Sequence, residues 1–151
     1  MKSQSEINCT RHVQVVEPAP VEKQVLTAVV PYTTPELTRA ALRHIGVCSD
    51  LDVRVSLLDV QVVPFPCPLD RPPIDKEFSV SRLQGLIAES GLRGRAGVLY
   101  TRDWVEGFQR VLGPESLVVL TTKHQWWPTR EKRLAQTLSK AGHQVTLLRV
   151  R

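Results

Sequence analysis

Apolar residues in this chain fall into short dense runs separated by amphipathic stretches, and the alternation of the two predicts strands alternating with helices. Residues 24–30, Gln-Val-Leu-Thr-Ala-Val-Val, form a nearly continuous apolar run of the kind found in strands buried on both faces. The run stops at Pro31-Tyr-Thr-Thr-Pro, where Thr34 is placed to cap a helix whose first position is Pro35, a site where the missing N–H costs nothing. Leu37, Ala40, Ala41 and Ile45 then fall on one helical stripe, and Gly46 is positioned to end the helix in the left-handed conformation. A second strand, residues 52–63, is rich in β-branched residues and leucine.

Residues 64–73 contain five prolines in ten positions, a density that neither a helix nor an inner strand tolerates. They predict a stiff loop; the alternative, a PxxP recognition motif, is the weaker reading. A second helix is expected over 76–89, with Val80, Leu83, Leu86 and Ile87 inward and Gly91 at its end. Strand three is expected at 95–101. A third helix carries Val105, Phe108, Val111 and Leu112 until Gly113-Pro114 breaks it. The chain closes with a strand at 116–122, a polar turn, a helix at 129–141, Gly142 and a strand at 143–150. Two apolar strands joined through one helix make a βαβ crossover, which needs a parallel sheet covered by helices.

Five strands alternating with four helices point to an α/β fold, a three-layer doubly wound parallel sheet. Both common five-stranded orders fit the pattern. In either, a ligand crevice lies at the carboxyl ends of the strands, where strand order reverses. The 151 residues, 42% of them hydrophobic, suit one domain over 23–151. Residues 1–22, with Pro18 and Pro20, read as a flexible arm, although residues 12–16 alternate well enough to add an edge strand, on this chain or on a partner subunit.

Charge and chemistry sharpen the picture only in part. The net charge of +5 favours acidic partners, but its scatter, apart from residues 93–95 and 123–133, lacks the single basic face of a nucleic-acid module, so direct nucleic-acid binding is not expected. Cys9, Cys48 and Cys67 have no pair spacing; Cys48 reads as a small buried apolar side chain and the others as loop thiols. The first residues lack a signal-peptide pattern and no 18-residue apolar run exists, so a cytoplasmic protein without a membrane span is expected.

The one concentrated candidate site is the turn after strand four. Thr122, Lys123, His124 and Arg130 surround the start of the last helix, whose free N–H groups beside cations make an anion pocket, with Trp126 or Trp127 free to stack on a planar group. Tyr32, Thr33 and Thr34, after strand one, face the same crevice. The plainer reading, which we prefer, has Trp126 and Trp127 in a sheet-edge or dimer interface and the cations in solvent. Asp103 reads as a helix cap rather than a general base. His12, His44, His124 and His143 show no metal-ligand spacing, and no nucleophile elbow, Walker loop, Cys-x-x-Cys or Gly-x-Gly-x-x-Gly occurs.

In order and spacing, residues 24–151 resemble the universal stress protein family: strand one with its polar turn and helix (25–45), strand two running into a proline-bearing insertion (53–73), and the final βαβ unit (117–150). The resemblance implies a five-stranded parallel sheet with four helices, frequent homodimerisation and, in one branch of the family, ATP or AMP as ligand. That branch carries an acidic residue just after strand one and a glycine-rich stretch after strand four. Here strand one ends in Pro31 and Tyr32, with no carboxylate before Glu36, and the turn after strand four has no glycine before Gly142. The resemblance therefore implies a non-enzymatic regulatory or interaction domain with little or no ATP binding, indirectly associated with a membrane transporter in the manner of similar domains. The alternatives are a nucleotide or anion sensor working through the crevice and, more remotely, a nucleotide-dependent hydrolase or transferase.

Overall fold

A computed structural model describes residues 25–48 and 52–151. The elements follow in the order β1 (Leu26–Pro31), α1 (Pro35–Cys48), β2 (Val53–Val62), α2 (Lys76–Ser90), β3 (Arg93–Thr101), α3 (Trp104–Val111), β4 (Leu117–Lys123), α4 (Arg130–Lys140) and β5 (Gln144–Val150). All strands are parallel, in the order β3-β2-β1-β4-β5. The expected fold class is thus the observed one, with the open question of strand order resolved by β1 lying between β2 and β4. The arm reading of residues 1–22 and the edge strand at 12–16 fall outside the described residues, as does Cys9.

Each face of the sheet has its own core. On one face, Ala28, Val30, Val55 and Leu57 pack under Ala41, Leu42 and Ile45 of α1 and Leu83, Leu86 and Ile87 of α2. On the other, Leu58, Val60, Val118 and Leu120 pack under Trp104 and Phe108 of α3 and Leu134 and Leu138 of α4. Strands read as near-continuous apolar runs because both of their faces are covered. Removing a leucine such as Leu120, fully buried, from water contributes about 1.5–3 kcal/mol.

Helix ends follow the expected chemistry with one exception. The Thr34 hydroxyl accepts from the Leu37 N–H at 3.3 Å, Asp103 accepts from the Glu106 N–H at 2.8 Å, and Thr129 accepts from the Lys132 N–H at 3.3 Å. Gly91 closes α2 with φ of 71°. Gly46 does not close α1, which runs on to Cys48, because a helical glycine costs only about 1 kcal/mol and the helix is held by its buried stripe. That extension leaves Cys48 exposed near His44, which corrects its reading as a buried side chain. Three further expectations shift slightly: β3 starts at Arg93, Ala40 and Val80 are only half-buried, and Val111 is exposed.

The proline loop is held at its base by Arg102, whose guanidinium donates to the carbonyls of Val63 and Cys67, both at 2.8 Å, and stacks over the Phe65 ring at 4.1 Å. This anchoring supports the stiff-connection reading.

Two glycines in helices should respond oppositely to alanine. A Cβ on Gly85 meets nothing within 4 Å, so Gly85→Ala gains about 0.5–1 kcal/mol through propensity and a less flexible unfolded chain. A Cβ on Gly107 would stand 2.6 Å from Val60 Cγ1 and 2.9 Å from Thr101 Cγ2, so overpacking, at about 1–3 kcal/mol, outweighs the propensity gain. Urea denaturation of the two variants is expected to move the midpoint up for Gly85→Ala and down for Gly107→Ala.

Candidate functional site

The reversal of strand order places a crevice between β1 and β4. Their ladder is short: it joins Ala28 to Leu117 and Val29 to Val118, whereas β1 and β2 pair at six positions from Leu26 to Pro31. Beyond Val29 the two strands share no further ladder pair, and α1 follows β1 onto one face of the sheet while α4 follows β4 onto the other, which is the geometry of a switch point. Tyr32, Thr33 and Thr34 leave β1 on one side of it. Thr122, buried, and Lys123 end β4 on the other.

The side chains gathered here are only partly those expected. Tyr32 is half-buried and carries the Arg82 guanidinium 5.0 Å above its ring. Thr34 is occupied as the α1 cap. Thr122 Oγ1 lies 3.2 Å from Thr129 Oγ1, tying the end of β4 to the cap of α4. Lys123 is paired with Val150, and the His124 N–H donates to the Val150 carbonyl at 3.0 Å, so this backbone is committed to β5 rather than to the crevice. Arg130 lies over the Trp104 ring at 4.5 Å, with its Nε 3.3 Å from the Glu131 carboxylate. A carboxylate in the first turn of α4 already complements the positive end of the helix.

Trp126 and Trp127 are 96% and 79% exposed, on a turn pinned by the Lys132 ammonium donating to the Gln125 carbonyl at 2.9 Å.

A second polar group escaped the sequence reading. Asp59, 5% exposed, sits near the carboxyl end of β2. Its Oδ2 accepts from Gln61 Nε2 at 2.8 Å and lies 3.8 Å from the Arg82 guanidinium; Gln61 also donates to the Ser79 hydroxyl at 3.2 Å. Burial raises the Asp59 pKa above the usual carboxylate value, and the Gln61 hydrogen bond, with Arg82 and the more distant Arg130, offsets part of that rise. The signal in the sequence was a lone carboxylate inside the apolar run Leu57-Leu58-Asp59-Val60. Thr121 Oγ1 and Thr38 Oγ1 are buried without a hydrogen-bond partner among the described residues.

These residues do not fit the nucleotide pattern described for the family. Glu36 is exposed within α1, and the β4–α4 turn presents tryptophans where close backbone approach to phosphate would call for glycine. Among the described residues no group of three or more histidine, cysteine or acidic side chains is placed to hold a metal ion, and no helix is long and apolar enough to cross a membrane.

Doubly wound order, helices on both faces and a switch-point crevice define the α/β class of the universal stress fold. The chain is similar to the structure of a universal stress protein from Archaeoglobus fulgidus, at 15% identity over 81% of this chain and 92% of that one, with a TM-score of 0.55. It is likewise similar to the crystal structure of a protein from the universal stress protein family from Burkholderia pseudomallei, at 16% identity over 87% of this chain and 98% of that one, with a TM-score of 0.53. No family model and no curated protein matches the sequence. At this identity the likeness establishes the fold, and function has to be argued from the site.

The raised pKa of Asp59 sets a pH dependence. Because the folded state binds this proton more tightly than the unfolded chain, ionised Asp59 lowers stability at neutral pH, and the penalty is relieved as pH falls through the folded-state pKa. Asp59→Asn is expected to raise the melting temperature at pH 7 and to flatten its change between about pH 4 and 7. A lower melting temperature at pH 7 would mean that the Arg82 pairing outweighs burial.

Proposed function

We propose that this chain is a non-enzymatic regulatory or interaction domain that works as a homodimer joined along β5. The observation that carries the reading is the edge of that strand, which no described residue pairs along its outer side. The Gln144 N–H donates to the Ser116 carbonyl and the Val150 carbonyl accepts from His124, so the even-numbered residues of β5 bond to β4. By the two-residue period of a strand, Val145, Leu147 and Arg149 turn their backbone groups outward. Val145, Leu147, Leu148 and Val150 are all half-buried rather than fully covered. The opposite edge, β3, is guarded by Arg93 and Arg95, and such charges deter edge pairing. Trp126 and Trp127 stand just beyond the end of the ladder between β4 and β5, where a second copy would cover them.

Catalysis finds little support: the buried carboxylate is held by Gln61 and Arg82, and no nucleophile and base stand together at the crevice among the described residues. A partner beyond the second copy, such as a membrane transporter, would be engaged by surfaces the dimer leaves free.

Sedimentation of the full chain at micromolar concentration is expected to give a dimer. Leu147→Lys, which keeps an apolar stem while adding an edge charge, and Arg149→Pro, which removes an outward N–H, are each expected to give a folded monomer by circular dichroism. A wild-type monomer, or a dimer indifferent to both changes, would overturn the assignment.

A second reading, a sensor of a small anion, draws support from the switch-point crevice with Lys123 and Arg130 at its rim. On that reading, phosphate or a nucleotide at about a hundredfold excess over its dissociation constant stabilises the fold by about 2.7 kcal/mol, and Lys123→Ala with Arg130→Ala abolishes the effect. Glu131 at the α4 terminus and the engagement of Arg130 with Trp104 weigh against it.

A further inference from the structure

A separate cationic feature lies at the other end of the sheet. In register, Thr27 is beside Arg54, Arg54 is beside Arg93, and Ser56 is beside Arg95, so these side chains share one face near the amino ends of β1, β2 and β3. This is the face of α3 and α4, but α3 reaches it only toward the carboxyl ends, where Gly107 approaches Val60 and Thr101. The part that no described helix covers forms a groove of about 470 Å³ lined by Thr27, Arg54, Val55, Arg93, Gly94 and Arg95. That volume lies within the range of about 300–1,000 Å³ of small-molecule sites.

The three arginines are exposed, and none has a carboxylate within ion-pair distance among the described residues. Like charges directly opposite one another on neighbouring strands are destabilising. Guarding a sheet edge explains Arg93 and Arg95 on β3; it does not explain Arg54, because β2 is an inner strand.

We infer that this groove binds a condensed phosphate, a di- or triphosphate group, through Arg54, Arg93 and Arg95, with the Thr27 hydroxyl at its margin. Neighbouring strands lie about 4.8 Å apart and alternate residues along one strand about 6.6 Å apart, so the three side chains start from a small triangle. Guanidinium forks match phosphate oxygens two at a time, and three forks offer more donors than a single phosphate can take. Linked phosphates concentrate their charge without ordering several flexible side chains, as an acidic peptide would have to do. Binding cancels the repulsion between Arg54 and Arg93.

Calorimetry of the full chain with sodium tripolyphosphate at fixed ionic strength tests the assignment. Saturable binding is expected, weakened at least about tenfold by Arg54→Ala or Arg93→Ala, in keeping with loss of charge-assisted hydrogen bonds. Lys123→Ala with Arg130→Ala, at the crevice, is expected to leave it unchanged, which separates this site from the sensor reading. The melting temperatures of the unliganded arginine variants, expected not to fall, distinguish lost binding from lost folding. Nucleoside triphosphate binding as tightly as tripolyphosphate would show that the phosphates alone are read. The proposal is overturned by absent binding at millimolar concentration, by sulfate binding equally well, by indifference to both arginine changes, or by tighter binding of a polyglutamate peptide or single-stranded oligonucleotide.

Discussion

Two residue pairs, Ala28 with Leu117 and Val29 with Val118, join one half of the sheet to the other. Every other ladder pair stays within a half: β1, β2 and β3 on one side, β4 and β5 on the other. The chain reaches β4 only by way of α3, which leaves the far edge at β3 and crosses back past β2. So short a ladder is stable because both of its faces are sealed. Ala28 and Val119 lie in the core under α1 and α2, and Val118 lies under α4 with Val29 packed against that side. The switch point falls at the same place, because α1 follows β1 onto one face of the sheet and α4 follows β4 onto the other.

That dependence explains which parts of the fold were legible. Local signals state where strands and helices begin: the Thr34-Pro35 and Thr129 caps, Gly91, and Gly113-Pro114 are short-range chemistry and were readable. Strand order was not, because it is decided by which apolar faces find each other, and Val30 and Val118 look alike in a sequence. Gly46 misled for a related reason. A glycine after an amphipathic stripe is a stop signal only if tertiary contacts do not carry the helix past it. Cys48 followed that error, since the added last turn of the helix, from Gly46 to Cys48, is exposed.

The candidate site was legible in location and less so in content. Its place followed from fold class, and Tyr32, Thr33, Thr34, Thr122, Lys123 and Arg130 do stand at the ends of β1 and β4 or at the start of α4. What the reading missed was engagement: Arg130 is drawn to Trp104, the backbone at His124 to Val150, and Thr129 to Thr122. It also missed Asp59, Gln61 and Ser79: Asp59 and Gln61 share a face of β2 two residues apart, but Ser79 and Arg82 meet them only because α2 folds over that strand.

Uncompensated charge in this molecule is arranged by position. Near the carboxyl ends of the strands, a buried carboxylate is met by Gln61 and Arg82, so the group is constrained and its surroundings are closed. At the amino ends, three arginines face solvent with no described carboxylate opposite them, so that surface stays available to an incoming anion. A solvated guanidinium is inexpensive and an unpaired buried charge is not, which is why Asp59 has partners and the arginine groove does not need them in order to fold. The two edges differ in the same sense. Arginine on β3 deters another strand, while β5 ends beside exposed tryptophans, carries Arg149 as its one charge and has no strand beyond it among the described residues. Surface charge thus sets the β3 edge and the groove at the amino ends, with their arginines, apart from the β5 edge, which carries one.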